Sequence, residues 1–214
     1  MVENINEESI VFKIITIGDS SVGKTSIIKR YIDNNFSENM LATIGISKSQ
    51  KQIVLRNGQK IFLNLIDTAG QEKFNSLNSQ YLKNIDGVLF VFDLSKIETF
   101  KNIKMWMNFF NNNYTGKDNI PKYLIGNKKD LVEEVEESDK DLIDIFLEEN
   151  QKFFCKYKQT SAKEEDNQIA ELFQEMGELL YEVNKKNIRK KSKNIKLTSY
   201  EEEKKTCVLS KCLL

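Results

Sequence analysis

A chain of 214 residues, 40% of them hydrophobic, is long enough for one well-buried domain and a tail, so a second full domain is not expected. Its 32 basic and 32 acidic residues cancel, which removes the overall charge that would recruit nucleic acid, and no such partner is expected. The absence of histidine argues against a Ser-His-Asp hydrolase and against a zinc enzyme.

Short apolar runs rich in β-branched residues alternate with longer amphipathic segments, which is the pattern of a sheet whose strands are joined by helices. The predicted strands are 12–18, 47–55, 60–66, 87–94, 122–127 and 154–161. Asn57-Gly58, between the second and third strands, is typical of a tight hairpin. We therefore predict an α/β domain with a six-stranded, mostly parallel sheet and one antiparallel hairpin strand.

Apolar residues at helical spacing predict five helices between and after these strands. They are 24–33, 73–83, 96–113, 138–151 and 167–185. The periodicity stops near residue 185, so we predict a single domain at 10–185 between a flexible N-terminus, 1–9, and a flexible tail, 186–214. We expect neither a signal peptide nor a membrane-spanning segment, because no apolar run approaches the roughly 18 residues that a span requires.

The segment GDSSVGKT, residues 18–25, follows the first strand and opens the first helix. Gly18 opens a turn and Gly23 permits close approach, so successive backbone N–H groups can point at phosphate oxygens. Lys24 is expected to reach the β and γ phosphates and Thr25 to offer its hydroxyl to Mg²⁺, at the positive end of the helix. The alternative is an ordinary turn that matches the pattern by chance. The loop itself does not distinguish adenine from guanine.

Two short motifs at successive strand ends predict which base is bound. They are NKKD, which ends at Asp130, and SAK, made of Ser161, Ala162 and Lys163. The Asp130 carboxylate can accept hydrogen bonds from guanine N1–H and the 2-amino group, and the Ala162 N–H would meet the guanine carbonyl. A wrong base would leave these groups unpaired, which can reject it by on the order of 10⁴-fold. Taken alone, NKKD could instead be a solvated turn of a lysine-rich chain.

The segment DTAGQ, residues 67–71, predicts a hydrolytic centre that senses the γ-phosphate. Asp67 is expected to steady Mg²⁺, Gly70 to bring its N–H against the γ-phosphate, and Gln71 to orient the attacking water. Thr43 lies in a polar segment without periodicity and is expected to complete the metal shell only while that phosphate is present. Loss of the phosphate would then free two segments together.

With these motifs in this order, residues 10–185 resemble a small GTPase of the Ras superfamily, most closely the Rab branch. The resemblance implies the P-loop NTPase fold of a small G protein, with GTP or GDP bound and Mg²⁺ as cofactor. It implies metal ligation by Thr25 and Thr43, a link between Asn127 and the phosphate loop, and a guanine plane flanked by Lys128 and Phe36. The residues implied to contact phosphate through their backbone are Ser21, Val22, Gly23, Lys24, Thr25 and Ser26.

The Rab likeness is carried by ATIGIS, DTAGQEKF and SQYLKNIDGVLFVFDL, and the chain departs from the branch at several positions beside them. Ile66 stands where many Rabs have tryptophan, and the residues 46–48, ISK, replace the usual valine-aspartate-phenylalanine. Residues 82–84, LKN, replace the familiar tyrosine-arginine-glycine. All of these departures fall on the expected partner-binding surface.

The C-terminal residues carry a local basic run followed by two cysteines. The basic residues are Lys185, Lys186, Arg189, Lys190, Lys191, Lys193 and Lys196, and we expect them to reach an anionic membrane; a solvated lysine tract is the alternative. The resemblance implies geranylgeranylation at Cys207 or Cys212, although a strict C-a-a-X box would need cysteine at Lys211, so palmitoylation and an unmodified tail stay open. No disulfide framework is evident, which predicts a reducing compartment, and Cys155 is expected in the core.

These features together predict a slowly hydrolysing GTP switch in vesicle traffic, in the cytosol and on the cytoplasmic face of an intracellular membrane. The chain has three arginines, Arg30, Arg56 and Arg189. None lies in the two segments expected to respond to the γ-phosphate, around Thr43 and around Gln71, so unaided hydrolysis should be slow. We expect a monomer whose partners are an exchange factor, a GTPase-activating protein, effectors and a prenyl-chaperone. The alternatives are a Ras-like signalling GTPase, a P-loop kinase or ATPase, and a scaffold that holds GTP without hydrolysing it.

Overall fold

The computed structural model describes residues 10–37, 43, 45–68, 80–117, 119–133 and 135–186. The chain divides into two compact units, Met1–Glu178 and Leu179–Leu214. In the second unit the described residues, 179–186, are helical, and the Lys185 ammonium lies over the Tyr181 ring. Residues 1–9 and nearly all of the predicted tail lie outside the described residues, so the domain limits stay a prediction.

The first unit is built on one six-stranded sheet, which confirms the predicted fold class. Its strands are β1 Val11–Ile17, β2 Ile46–Val54, β3 Lys60–Thr68, β4 Gly87–Asp93, β5 Lys122–Asn127 and β6 Lys156–Gln159. Their order is β2-β3-β1-β4-β5-β6, with β2 and β3 antiparallel and every other pair parallel. The hairpin turns at Asn57-Gly58, as predicted. Gly58 has a φ of 81°, which is unfavourable for a residue with a side chain.

Helices connect the strands. They are α1 Lys24–Asp33, α2 Ile97–Lys101, α3 Ile103–Asn113, α4 Glu137–Glu149 and the helical residues 168–178 of this unit, called α5. The predicted helix 96–113 is interrupted at Asn102, which keeps right-handed dihedrals and donates its N–H to the Glu98 carbonyl. Of the predicted helix 73–83, residues 73–79 lie outside the described residues, and Gln80–Leu82 form a single 3₁₀ turn.

The core fixes the sheet as a rigid platform for the loops at its edge. Every residue of β4 is buried, as expected for a parallel strand covered on both faces. Aromatic rings pack against it in edge-to-face pairs, including Phe90 with Phe110 and with Phe154. The carboxyl ends of the parallel strands β1, β3, β4, β5 and β6 meet at one edge, and each predicted nucleotide motif from residue 18 onward begins there or continues from it, apart from the segment around Thr43.

Candidate nucleotide site

The phosphate loop bends as the glycine positions require. Gly18 has a φ of +149°, and a Cβ there would lie 2.1 Å from the Val91 carbonyl oxygen. Gly23 has a φ of +95°, and a Cβ would lie 2.2 Å from Asn127 Nδ2. Ser21 is also left-handed, with a φ of 61°, so the backbone curls back on itself between β1 and α1. Such a curl directs successive N–H groups inward, which is the conformation that holds an anion.

Lys24 is a buried cation that the loop has enclosed. Its ammonium donates hydrogen bonds to the carbonyl oxygens of Gly18, at 2.9 Å, and Asp19, at 2.6 Å, and only 5% of the residue is exposed. Burial lowers its pKa to about 8, against the opposing effect of the Asp67 and Asp19 carboxylates. Within the described ranges no carboxylate lies at ion-pair distance from this ammonium. A phosphate is the kind of ligand that such a cation suits.

Three oxygen-bearing side chains meet beside the loop. The Thr25 hydroxyl donates to Asp67 Oδ2 at 2.6 Å and shares a hydrogen bond with the Thr43 hydroxyl at 2.7 Å. Burial raises the pKa of Asp67, while hydrogen bonds from Thr25 and the nearby Lys24 charge oppose that rise. In the described part of the chain no cluster of three His, Cys, Asp or Glu residues could hold a metal ion. Two hydroxyls and one carboxylate nevertheless fit Mg²⁺, which takes few protein oxygens and completes its shell with phosphate and water.

Asn127 joins the end of β5 to the phosphate loop. Its Nδ2 donates to the Val22 carbonyl oxygen at 2.9 Å, across 105 residues of sequence. Its Oδ1 accepts a hydrogen bond from the Thr160 hydroxyl at 3.2 Å, and all three residues are buried. One amide side chain therefore connects the phosphate loop, the NKKD motif and the segment leading into SAK.

The Asp130 and Ser161 side chains are in direct contact. The Ser161 hydroxyl donates to Asp130 Oδ1 at 2.5 Å and accepts the backbone N–H groups of Lys163 and Glu164, each at 3.1 Å. Among the described residues, none donates a hydrogen bond to the other carboxylate oxygen of Asp130. Ala162, which lies between Ser161 and Lys163 in the sequence, is buried, with 4% of its surface exposed. The two base motifs thus form one hydrogen-bonded unit at the edge of the sheet.

The sequence model of the Ras family matches residues 13–182, which is most of the chain. The chain belongs to the Ras family. It is 39% identical over 180 residues to the Ras-related protein Rab-32C of Dictyostelium discoideum, covering 82% of this chain and 76% of that protein. It is 41% identical over 127 residues to the Ras-related protein Rab-33A of Mus musculus, covering 59% and 53%, and 37% identical over 128 residues to the Ras-related protein RABD1 of Arabidopsis thaliana, covering 60% and 61%.

These relatives confirm the Rab resemblance and the expectation of a Rab-like small GTPase, and they give the kinase and ATPase alternatives no support. The matches to Rab-33A and RABD1 span less than two thirds of the length of those proteins. Ras-family proteins are GTPases that bind GTP and GDP, and Rab proteins work with exchange factors, GTPase-activating proteins and effectors on intracellular membranes.

Arg30 makes contacts beside the candidate nucleotide site that the sequence did not predict. Only 6% of its side chain is exposed, and its guanidinium donates to the carbonyl oxygens of Ala162 at 2.9 Å, Lys163 at 3.1 Å and Asn34 at 3.1 Å. It therefore connects α1 with the SAK loop and with the segment that leads to Phe36. Arg30 lies three residues after the buried Ile27, a helical spacing that could have shown that it faces inward.

Two aspartates also anchor the site without having been predicted. Asp93, at the end of β4, is 1% exposed; its Oδ2 lies 2.6 Å from the Lys128 ammonium and its Oδ1 accepts the Ser95 hydroxyl at 2.7 Å. Asp19, within the phosphate loop, accepts Trp106 Nε1 at 2.7 Å and Asn102 Nδ2 at 2.7 Å. An aspartate that ends an otherwise apolar strand was a usable signal for Asp93, as it was for Asp67.

The remaining predicted residues divide into described and undescribed ones. Phe36 is half-buried two residues after Asn34, and no ring contact joins it to another described aromatic residue. Ser26 is half-buried in the first turn of α1. Gly70, Gln71, Cys207 and Cys212 lie outside the described residues. Cys155 was expected in the core, but it is exposed, because β6 begins only at Lys156 and the neighbouring Phe154 takes the buried position.

Proposed function

We propose that this chain is a GTP-driven switch in intracellular membrane traffic that hydrolyses GTP slowly. The observation that carries the proposal is the Thr25 hydroxyl, which contacts both Thr43 and Asp67. These three residues belong to the phosphate loop, the segment before β2 and the end of β3. A terminal phosphate and its metal ion bound here would hold all three segments together, and loss of that phosphate would release them.

In this proposal the nucleotide lies along the sheet edge. The backbone of residues 21–26 and the Lys24 ammonium bind the phosphates. Asp130 accepts the guanine N1–H and 2-amino hydrogens, and the Ala162 N–H donates to the guanine carbonyl. The Ser161 hydroxyl binds the Asp130 carboxylate and the Lys163 N–H, which fixes Asp130 relative to the turn that contains Ala162. Lys128, which the Asp93 carboxylate holds, and Phe36 flank the base.

Mg²⁺ would be held by Thr25, Thr43 and Asp67, and when bound it neutralises charge on the β and γ phosphates. Gly70 and Gln71 are proposed to bind the γ-phosphate and to orient the attacking water. Arg30, one of three arginines, uses its guanidinium on backbone carbonyls, and neither Arg56 nor Arg189 lies in the segments around Thr43 and Gln71. Hydrolysis without a partner should therefore be slow, as in Ras, which turns over about 10⁻⁴ to 10⁻³ times per second unaided.

Membrane attachment is proposed to come from the C-terminal residues. None of the described helices is long and apolar enough to cross a bilayer. A lipid on Cys207 or Cys212, together with the basic run, would hold a monomeric switch on the cytoplasmic face. Both are needed, because a single lipid chain by itself binds membranes only weakly. A prenyl-chaperone would carry the lipidated form through the cytosol, between cycles driven by the exchange factor and the GTPase-activating protein.

Nucleotide titration of the purified full-length chain tests the proposal. Fluorescent GDP should bind with Mg²⁺ and be displaced by GTP but not by a thousandfold excess of ATP, and single-turnover hydrolysis should be complete but slow. Displacement by ATP at comparable concentration would support a kinase or ATPase instead. Absence of any hydrolysis, with or without extracts of the native cell, would support a scaffold. Intact-mass analysis of the native protein tests the lipid, and no added mass at either cysteine would remove the anchor.

A further inference from the structure

One face of the sheet, on β1, β2 and β3, carries polar and apolar side chains together. The strand register places Gln50, Asn64 and Lys13 in one row across β2, β3 and β1. The adjacent row contains Lys48 and Ile66, and side chains two residues apart along a strand share a face. These residues line a groove of about 450 Å³, to which Ser49, Tyr81 and Lys83 also contribute.

The groove is strongly basic. Its charged lining residues are Lys13, Lys48 and Lys83; all three are exposed, and the lining contains no acidic residue. Among the described residues none of these three ammonium groups has an ion-pair partner. Asp86 accepts the Lys13 backbone N–H at 3.0 Å, but its carboxylate is already paired with Lys117 at 2.8 Å. Within the described ranges, these three positive charges are thus available to an external partner.

The rest of the lining supplies other contacts that a polypeptide can use. The Lys48 ammonium lies 5.2 Å from the centre of the Tyr81 ring, which holds the cation at the rim. Ile66, 5% exposed, forms an apolar part of the lining, and Gln50 donates to Asn64 Oδ1 at 2.7 Å, which fixes two amide groups in the same row. Lysines, an aromatic ring, an aliphatic side chain and amides in one concavity resemble the mixed composition of protein interfaces.

We propose that this groove binds an acidic segment of a partner polypeptide, with an apolar side chain of that segment against Ile66 and Tyr81. The proposal rests on the proposed function, because it names the partner class of the same switch: Lys48 lies five residues after Thr43, in the strand that follows the segment sensing the γ-phosphate. Lys83 directly follows the turn Gln80–Leu82. Charge complementarity selects such a partner over a neutral or basic one and speeds its association.

A polypeptide suits the groove better than an anionic membrane. A flat lipid surface meets protruding cations, whereas Ile66 and the Gln50 and Asn64 amides lie in a concavity, with Asn64 half-buried. An extended peptide can place carboxylates against the lysines on the rim and still reach these groups. A membrane reading predicts binding to anionic vesicles that depends on the same lysines, so the two readings differ in a measurable way.

Selection from a library of random 12-residue peptides on the full-length chain tests the proposal. The chain is loaded with a non-hydrolysable GTP analogue, and the enriched peptides are measured against K48E/K83E and against K60E/K152E. Lys60 and Lys152 are exposed lysines outside the groove, so the control makes the same charge change. Affinity for the GTP analogue is measured first on all three proteins and should be unchanged, which separates a failure of the groove from a failure of nucleotide binding.

Enriched peptides should carry net negative charge and an apolar residue, bind K48E/K83E at least about tenfold more weakly than wild type, and bind K60E/K152E within twofold of it. Their binding should weaken as salt screens the charges. The proposal is overturned if no peptide distinguishes K48E/K83E from the control, or if those that do are neutral or basic. Vesicles containing phosphatidylserine that bind the unlipidated chain, and lose binding only in K48E/K83E, would assign the groove to a membrane instead.

Discussion

Replacing Arg30 with alanine should loosen the SAK loop, residues 161–163, which Arg30 binds from α1. The change removes a charged donor from the carbonyl oxygens of Ala162, Lys163 and Asn34. An unpaired buried acceptor costs about 1 to 3 kcal/mol, and Ala162 is the most buried of the three. We expect a loss of about 2 to 4 kcal/mol in the free energy of unfolding, because water can reach the other two carbonyls in part.

Two of the lost bonds to backbone carbonyls hold the loop that is proposed to contact guanine, so part of this loss should appear in nucleotide binding. A share of about 1.4 kcal/mol corresponds to a tenfold effect. We expect fluorescent GDP to dissociate about tenfold faster from R30A, when chased with excess unlabelled GDP, with little change in its association rate. R30K keeps the charge but not the planar set of donors, so its GDP dissociation rate should lie between those of wild type and R30A.

Glu165 supplies the matched control. It lies 3.6 Å from the Arg30 guanidinium but its side chain is 80% exposed, so E165Q should leave both the dissociation rate and the stability nearly unchanged. A folded R30A whose GDP dissociation rate stays within twofold of wild type would show that the bonds from Arg30 to the SAK loop do not slow GDP release. So would an E165Q effect as large as that of R30A, because the exposed ion pair and not the buried carbonyl bonds would then be the important contact.

Two further variants test the phosphate loop and the ion pairs beside β6. G23A places a Cβ 2.2 Å from Asn127 Nδ2 at a φ of +95°, so GDP affinity should fall at least about 100-fold in displacement titrations, and a fall below threefold would contradict this. Burial raises the pKa of Glu175, but hydrogen bonds from Lys156 and Lys158 lower it more, so its folded pKa is depressed. E175Q should therefore melt about 2 to 4 °C below wild type at pH 7, a gap that closes as the pH falls below about 4; a constant gap would oppose this origin.

The fold followed from the sequence wherever burial alone decided the structure. β4 is an uninterrupted apolar run, and its predicted limits, 87–94, differ from the observed Gly87–Asp93 by one residue. The last strand was predicted as 154–161 but spans only Lys156–Gln159. Phe154 instead packs into the aromatic cluster, and Ser161 uses its hydroxyl to close a turn. Tertiary packing and side-chain hydrogen bonds overrode the local pattern at both ends of that strand.

The site could be predicted where a residue's chemistry is evident from its own motif. Gly23, Lys24 and Thr25 act through a spacing that is readable in eight consecutive residues. Arg30 and Asp19 were missed because their partners lie 132 and 87 residues away, and only the folded chain brings them together. The spacing of Arg30 after Ile27 indicates that its side chain faces inward, but it does not indicate which residues it contacts.

Asp130 is the residue proposed to select guanine, and the D130N variant tests this role most directly. Asparagine can still accept the hydrogen bond from Ser161, so the loop should keep its shape, while the side chain loses an acceptor and gains a donor. Competition of GDP and xanthosine diphosphate for the Mg²⁺-loaded protein should show GDP affinity reduced by on the order of 10³-fold and xanthosine diphosphate preferred, since xanthine presents a carbonyl where guanine has its amino group. An unchanged preference for GDP in D130N would show that Asp130 does not select guanine.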